Sequence, residues 1–350
     1  MKVFLFILDG CSAAELKAAE TPFIDEISNA GKYTLKCQAI FPTATYTGHS
    51  TIMTGNYPEK HGMIGNQFWD RQNKCIRNFD FYDPNENIES PTIFELLPIN
   101  TCAICEPVTK GASLIVKKKI FDEMPIKIQN RSVYRYLTDS LPADIQFYMV
   151  NFMGVDSFGE TRGPKSEEYL YCLEEIDGFL SDIKTKIQSD FIFMVTADHG
   201  MTTVNETINL AERLEAEGFQ VSCLASHRCS HIYVESNIEE LENHLRALPF
   251  IDKVFNAITI EKIHLKHERT GDLVVCANKG FEFGNKKLRG SHGGYTEDEI
   301  NVPFIIYDST DKLPKKLSLS LMSLVDICPT ILDIFGIKSG VQFQGKSLLK

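Results

Sequence analysis

Phe191-Ile-Phe-Met-Val-Thr-Ala-Asp198-His199-Gly200-Met201 is the stretch on which the fold turns. Its apolar, β-branched run has the length of a strand and reads as one buried on both faces, the kind found inside parallel sheets. It then opens into a glycine turn that carries a carboxylate beside an imidazole. Oxygen and nitrogen donors so placed suit a borderline divalent ion such as zinc. Working outward, residues 3–9 and 147–156 also run from an apolar strand into ligand-type residues, and the loop 290–294 carries His292. The carboxyl ends of parallel strands meet along one sheet edge, so these segments are expected to converge. Any one of them alone reads as a turn or a helix cap; together they read as a site.

Short apolar runs near 2–8, 34–40, 101–105, 145–151, 191–196 and 302–307 are read as strands. They alternate with helical patterns near 21–30, 46–54, 91–97, 130–139, 166–188 and 320–335. The alternation predicts an α/β fold, a mainly parallel sheet sandwiched by helices. The span 166–188 is the clearest helix, because Leu170, Leu173, Ile176, Leu180 and Ile183 recur at three- and four-residue spacing. Between 212 and 288 the pattern changes to two helices and several strands, among them 230–234, 253–258 and 272–276. The expected organisation is a catalytic core of 1–211 and 289–350 with a small inserted α+β subdomain at 212–288. Residues 67–83, with Trp69, Phe79, Phe81 and Tyr82 around polar turns, read as a hairpin excursion.

The 350 residues, 43% hydrophobic and 24% charged, have an ordinary globular composition and can enclose a large core. With 36 basic against 47 acidic residues the net charge is −11, a field that works against gripping a nucleic-acid polymer. The apolar run at the start, Val3 to Leu8, falls well short of the ~20 residues that span a bilayer. It follows a single lysine and lacks the layout of a signal peptide, so neither a membrane segment nor secretion is expected. Ten cysteines are scattered without a disulfide-like framework, which predicts reduced thiols in a cytoplasmic protein. Cys102 and Cys105 form one Cys-x-x-Cys, but with no second pair to complete a zinc ribbon they read as structural.

Phe41-Pro-Thr43-Ala-Thr45-Tyr46-Thr-Gly-His49 places several hydroxyls at the start of a short helix. Free N–H groups and the dipole favour an anion there, and a phosphoryl group fits. Capping and packing are the plain alternative for the same threonines.

These segments resemble the alkaline phosphatase superfamily, most closely its nucleotide pyrophosphatase/phosphodiesterase branch together with the related phosphonoacetate hydrolases. The likeness runs over nearly the whole chain. It includes Phe-Ile-Leu-Asp9-Gly, Pro42-Thr-Ala-Thr45, and Thr54-Gly-Asn-Tyr-Pro58-Glu-Lys-His61-Gly62 with Asn66. It continues through Asp156-Ser-Phe-Gly, Thr196-Ala-Asp198-His199-Gly-Met, Gly290-Ser-His292-Gly-Gly and Asp326-Ile-Cys-Pro329-Thr. The resemblance implies two divalent metal ions, zinc first, while the carboxylate of Glu160 makes the site harder and gives manganese or iron as alternatives. Asp9, Asp198, His199 and the Thr45 oxygen would surround one; Asp156, the residue at 160 and His292 would surround the other. Thr45 is the implied nucleophile. Asn66 falls where the family places an amide that hydrogen-bonds a phosphate oxygen. Tyr46 follows the nucleophile, where relatives often carry an aromatic near the leaving or nucleoside group. Lys110 is a candidate for a second anionic group of the substrate, while Lys117 to Lys119 form either a further anion contact or a solvated surface. His49 and His61 lie close by in sequence without an assigned role.

An aliphatic hydroxyl needs a base or a metal to attack at neutral pH, and metal coordination removes the need for a histidine base. The expected course is attack by Thr45, a phosphothreonine intermediate, then hydrolysis, with retention at phosphorus. One departure matters: the family usually has histidine four residues after the second aspartate, whereas this chain has Glu160. Asp9, Asp156, Glu160 and Asp198 would then neutralise two divalent ions. One added charge at ~4 Å is worth roughly 4 kcal/mol at an effective dielectric of 20, which favours a monoanionic diester or pyrophosphate arm over a dianionic monoester. The expected partner is a small phosphate ester, nucleotides included. A C–P hydrolase, a phosphomonoesterase and a non-enzymatic relative with a degenerate metal site remain the alternatives; a sulfatase is disfavoured because its Cys/Ser-x-Pro-x-Arg segment is missing.

Overall fold

The apolar runs Lys2–Leu8 and Phe191–Thr196 lie side by side and parallel, Phe4 opposite Phe193 and Ile7 opposite Thr196. In the computed structural model, which describes residues 1–350 apart from Lys315, Lys316 and Ser318, they form the middle of a seven-stranded sheet. Its order is Lys32–Gln38, Asn301–Asp308, Phe191–Thr196, Lys2–Leu8, Phe147–Phe152, Thr101–Ile104 and Leu114–Val116. Asn301–Asp308 runs antiparallel to both neighbours, and the other pairings are parallel. The reversed strand matters for function, because its amino end lies where its neighbours end. The loop before it therefore reaches the same edge as Asp9, Asp156 and Asp198.

Aromatic side chains hold the sheet's centre: Phe4 stacks on Tyr148 at 4.6 Å and Phe6 meets Phe193 edge-on at 5.2 Å. Helices cover both faces. The helix Glu167–Lys186 buries Leu173, Ile176, Leu180 and Ile183, with Leu170 partly buried beside them. Ser166 caps it by accepting the Tyr169 N–H. Three turns further in, the buried Asp177 accepts the N–H groups of Phe23 and Ile24, which satisfies the start of the helix Pro22–Ala30.

The inserted segment builds a second sheet, ordered Val221–Ser226, Cys229–Val234, Leu273–Ala277 and Ile251–Phe255, all antiparallel. Helices Leu210–Ala216 and Ile238–Ala247 pack on it through a separate apolar cluster that includes Leu214, Ile232, Leu241, Leu245 and Val275. The strand Gly280–Phe283 returns to pair with Thr202–Ile208, which also pairs with Gly290–Ser291. Three expected spans are corrected. The helix near 320–335 is Ile327–Ile334, preceded by a 3₁₀ turn, because Ser323 and Asp326 cap each other's backbone and delay its start. The helix near 91–97 is the single turn Ile93–Leu96. The strand near 253–258 is Ile251–Phe255, because Asn256 caps a new helix, Ala257–Lys262.

Candidate metal centre and active site

Asp9 follows the strand Lys2–Leu8, and Asp198 with His199 follows Phe191–Thr196. Adjacent parallel strands bring these three within one cluster whose ligand atoms all lie within 4.8 Å of one another. Two close approaches make this fit. A Cβ on Gly10 would stand 2.9 Å from Asp156 Oδ1, and one on Gly48 would stand 2.7 Å from the Asp198 carbonyl. Glycine at both positions lets the strand ends and the helix Thr45–Thr54 close on one point.

Hydrogen bonds aim the side chains. Asp9 Oδ2 accepts from Asn151 Nδ2 at 2.8 Å and Asp198 Oδ1 accepts from the Gly10 N–H at 3.2 Å. Their other oxygens, Asp9 Oδ1 and Asp198 Oδ2, are buried without a hydrogen-bond partner among the described residues, as is Asp156 Oδ1. Nδ1 of His199 donates to the Gly200 carbonyl at 3.0 Å and Nδ1 of His292 to the Thr43 carbonyl at 2.8 Å. Each backbone acceptor fixes the tautomer and leaves Nε2 as a free donor atom, as in metal-ligating histidines. Burial pushes the His199 pKa down to about 4, and burial with the neighbouring imidazoles holds His292 well below its usual value. Both rings are thus neutral at pH 7. Burial and the Asp198 charge push Asp9 up to about 6, while burial and the Glu160 charge raise Asp156. Orphaned, crowded carboxylate oxygens facing neutral imidazoles fit divalent cations, which would satisfy the lone pairs and discharge the repulsion.

Thr45 is the first residue of its helix, and its Oγ1 lies 3.3 Å from His199 Nε2. Asn66 Oδ1 accepts the Tyr46 N–H at 3.4 Å, which holds the Asn66 side chain at the helix start. Its backbone is held by Ser226 Oγ of the inserted unit at 2.9 Å. Behind Thr45, His49 Nδ1 sits 2.8 Å from both oxygens of Glu106, and its Nε2 is 3.6 Å from Asp198 Oδ2. Burial alone would lower the pKa of His49, but Glu106 outweighs it and carries the value up to about 9. His61 is a packed histidine instead: Nδ1 accepts the Met63 N–H, and Thr51 Oγ1 lies at Nε2.

His292 is shared by two further clusters, one with Asp156 and His199, the other with Glu160 and His227. Asp156 and Glu160 therefore each share a cluster with His292 but not one with each other, Asp156 Oδ1 being 3.7 Å from His292 Nε2. His227 had no signal in the sequence, because it belongs to a hairpin turn whose first strand, Val221–Ser226, is short and mostly only half-buried, without a clear apolar run.

A cleft of about 530 Å³ opens at Tyr46 and is lined by Phe79, Phe81, Tyr82, Glu106 and Lys118. Tyr46 itself is buried, its hydroxyl donating to the Phe79 carbonyl at 3.0 Å. Lys110 does not line this cleft among the described residues; its ammonium lies 3.7 Å from Glu95 and is half-exposed. Of the lysines considered for a second anionic group, Lys117, Lys118 and Lys119 line the cleft, Lys118 pairing with Asp122 at 2.6 Å.

Comparison with known proteins gives this geometry its context. The profile described as "Type I phosphodiesterase / nucleotide pyrophosphatase" matches residues 3–296. Human "Bis(5'-adenosyl)-triphosphatase ENPP4" is 24% identical over 366 residues, spanning 96% of this chain and 78% of that protein. The chain spans between 23% and 25% of the length of mammalian ectonucleotide pyrophosphatase/phosphodiesterase family members 1 and 3 that it matches. Among solved structures, inactive murine ectonucleotide pyrophosphatase/phosphodiesterase 5 in complex with AMP superposes with a TM-score of 0.81 at 18% identity, covering 99% of this chain and 97% of that one. Phosphonoacetate hydrolase from Sinorhizobium meliloti 1021, in complex with phosphonoformate, gives 0.76 at 18% identity over 94% of each chain, so the fold is shared. The chain belongs to the type I phosphodiesterase/nucleotide pyrophosphatase family.

Proposed function

We propose that the protein hydrolyses a phosphodiester or nucleotide pyrophosphate bond, with Thr45 as nucleophile and two divalent cations, zinc by preference, as cofactors. The observation that carries this reading is the position of Thr45 Oγ1, at a helix start and 3.3 Å from Nε2 of His199, whose cluster-mates Asp9 and Asp198 each keep a buried carboxylate oxygen without a partner among the described residues. Asp9, Asp198 and His199 would hold one cation and Asp156, Glu160 and His292 the other; such cations supply the positive charge that acidifies a hydroxyl and neutralises phosphoryl oxygens. Thr45 gives up its proton and its Oγ1 bonds to phosphorus while the leaving alcohol or phosphate departs in line. Asn66 and the first-turn N–H groups receive the equatorial oxygens. Water then cleaves the phosphothreonine, and two in-line steps give net retention.

The cleft supports a nucleotide substrate. Tyr82 and Phe81 offer rings at its rim, Lys118 a cation for a further phosphate, and its volume matches a small ligand. The triphosphatase name of the human relative and the AMP held by the murine structure agree with that choice. Glu160 adds negative charge and favours a diester. All ten cysteines are free thiols, which supports a reducing, cytoplasmic setting.

The test is kcat/KM for a nitrophenyl nucleotide diester, a dinucleoside triphosphate, nitrophenyl phosphate and phosphonoacetate after zinc or manganese loading. At least tenfold preference for the diester or dinucleotide is expected. Preference for nitrophenyl phosphate or phosphonoacetate would overturn the substrate class, and turnover of none of the four, the enzymatic reading.

A further inference from the structure

The inserted unit reaches the candidate metal centre through a hairpin turn. Val221–Ser226 and Cys229–Val234 pair with Ser226 opposite Cys229, so His227 and Arg228 form the two-residue connection. His227 adopts φ +57°, the left-handed conformation such a turn demands. The turn is bolted to the core: the Arg228 N–H donates to the His292 carbonyl at 2.8 Å and the Phe283 N–H to the His227 carbonyl at 3.2 Å. Arg228 also forms a fully buried ion pair with Glu299. Its neighbour's imidazole is delivered against the ring of His292, centroids 4.0 Å apart.

Nδ1 of His227 is buried and lacks a hydrogen-bond partner among the described residues. It stands 3.5 Å from Glu160 Oε1 and 3.4 Å from Glu282 Oε1, beyond the 2.7–2.9 Å of a charge-assisted hydrogen bond. Glu160, His227 and His292 instead offer one ligand atom each around a common point. We propose that His227 is a ligand of the second cation and supplies, from the inserted unit, the imidazole that position 160 lacks. This deepens the reading above and rests on it. With Glu160, His292 and His227 in one cluster and Asp156 sharing His292, the second site would have two nitrogens and two carboxylates, a four-donor set suited to zinc, and an imidazole held as a ligand adds no charge. A helix position that has lost its imidazole is thereby compensated by a side chain from a different part of the fold.

The test is metal stoichiometry, measured by elemental mass spectrometry on zinc-loaded, dialysed protein, with the visible spectrum of the cobalt-substituted form as a second readout. His227→Asn keeps the turn, because asparagine tolerates the left-handed conformation, and removes the imidazole. Two equivalents are expected for the wild type and one for H227N, with the d–d bands of one cobalt lost. Glu160→His in the H227N background is expected to restore the second equivalent. Retention of two equivalents at unchanged affinity in H227N, or loss of both, would overturn the inference while leaving the two-metal reading standing. A wild type that binds fewer than two equivalents would overturn both.

Discussion

Gly48 separates two forces that act on the same substitution. It lies inside the helix Thr45–Thr54, where alanine is favoured over glycine by about 1 kcal/mol. Yet a Cβ there would stand 2.7 Å from the Asp198 carbonyl oxygen and 2.9 Å from the Asp198 Cβ, where ordinary contact begins at 3.4 Å. Asp198 would have to retreat by roughly 0.7 Å, and overpacking of this kind costs about 1–3 kcal/mol. Gly178 provides the control, because it is an exposed helical glycine with nothing within 4 Å of its Cβ. The propensity gain is common to both sites, so Gly48→Ala is expected to be about 1–3 kcal/mol less stable than Gly178→Ala. Displacement of Asp198 also disturbs the cluster it shares with Asp9 and His199, and a ~1 Å misplacement costs about 100-fold in rate. Urea unfolding of the two variants and kcat/KM on the nitrophenyl nucleotide diester read out both effects. If Gly48→Ala gained stability as Gly178→Ala does and kept wild-type turnover, the closeness of helix and ligand loop would be wrong.

Thr45→Ala is expected to lose at least 1,000-fold in kcat while binding the same number of metal equivalents, checked by steady-state kinetics and elemental analysis. Asn66→Ala should lower kcat by about 10²–10³-fold with a smaller change in KM, since the amide acts on the charge that develops at phosphorus. His61 tests acid stability. Burial holds its folded pKa down to about 3, below the 6.5 of the unfolded chain, so the unfolded state binds the extra proton between those values and stability falls as pH drops from 6.5. Urea midpoints measured from pH 7 to 5 should fall more steeply for the wild type than for His61→Gln; parallel slopes would remove His61 from the acid response.

Strands buried on both faces were readable because short apolar runs bounded by turn residues suit a parallel core, and Phe191–Thr196 and Lys2–Leu8 lie at the expected positions. Thr202–Ile208 escaped notice because its alternate residues are exposed and polar, leaving no apolar run to see. The acidic and imidazole clusters were approachable from sequence because sheet topology brings strand ends together whatever the loops do. Lys110 shows the limit. Proximity along the chain says nothing about side-chain direction, and the turn at Gly111, packed on Glu95, carries Lys110 toward that carboxylate instead of the cleft. His227 was hidden for a related reason: a histidine in a turn carries meaning once the turn's destination is known, and that destination is set by tertiary docking on the His292 loop.

The reversed strand Asn301–Asp308 also governs when the protein becomes competent. Because the loop that precedes it supplies His292, the candidate ligands are spread from Asp9 to His292 along the chain. During synthesis the amino-terminal strands emerge and pair long before that loop leaves the ribosome. On the two-cation reading proposed above, metal capture would consequently fall late in maturation, and a prematurely terminated product that ends ahead of the loop would lack His292 however well its early strands have paired.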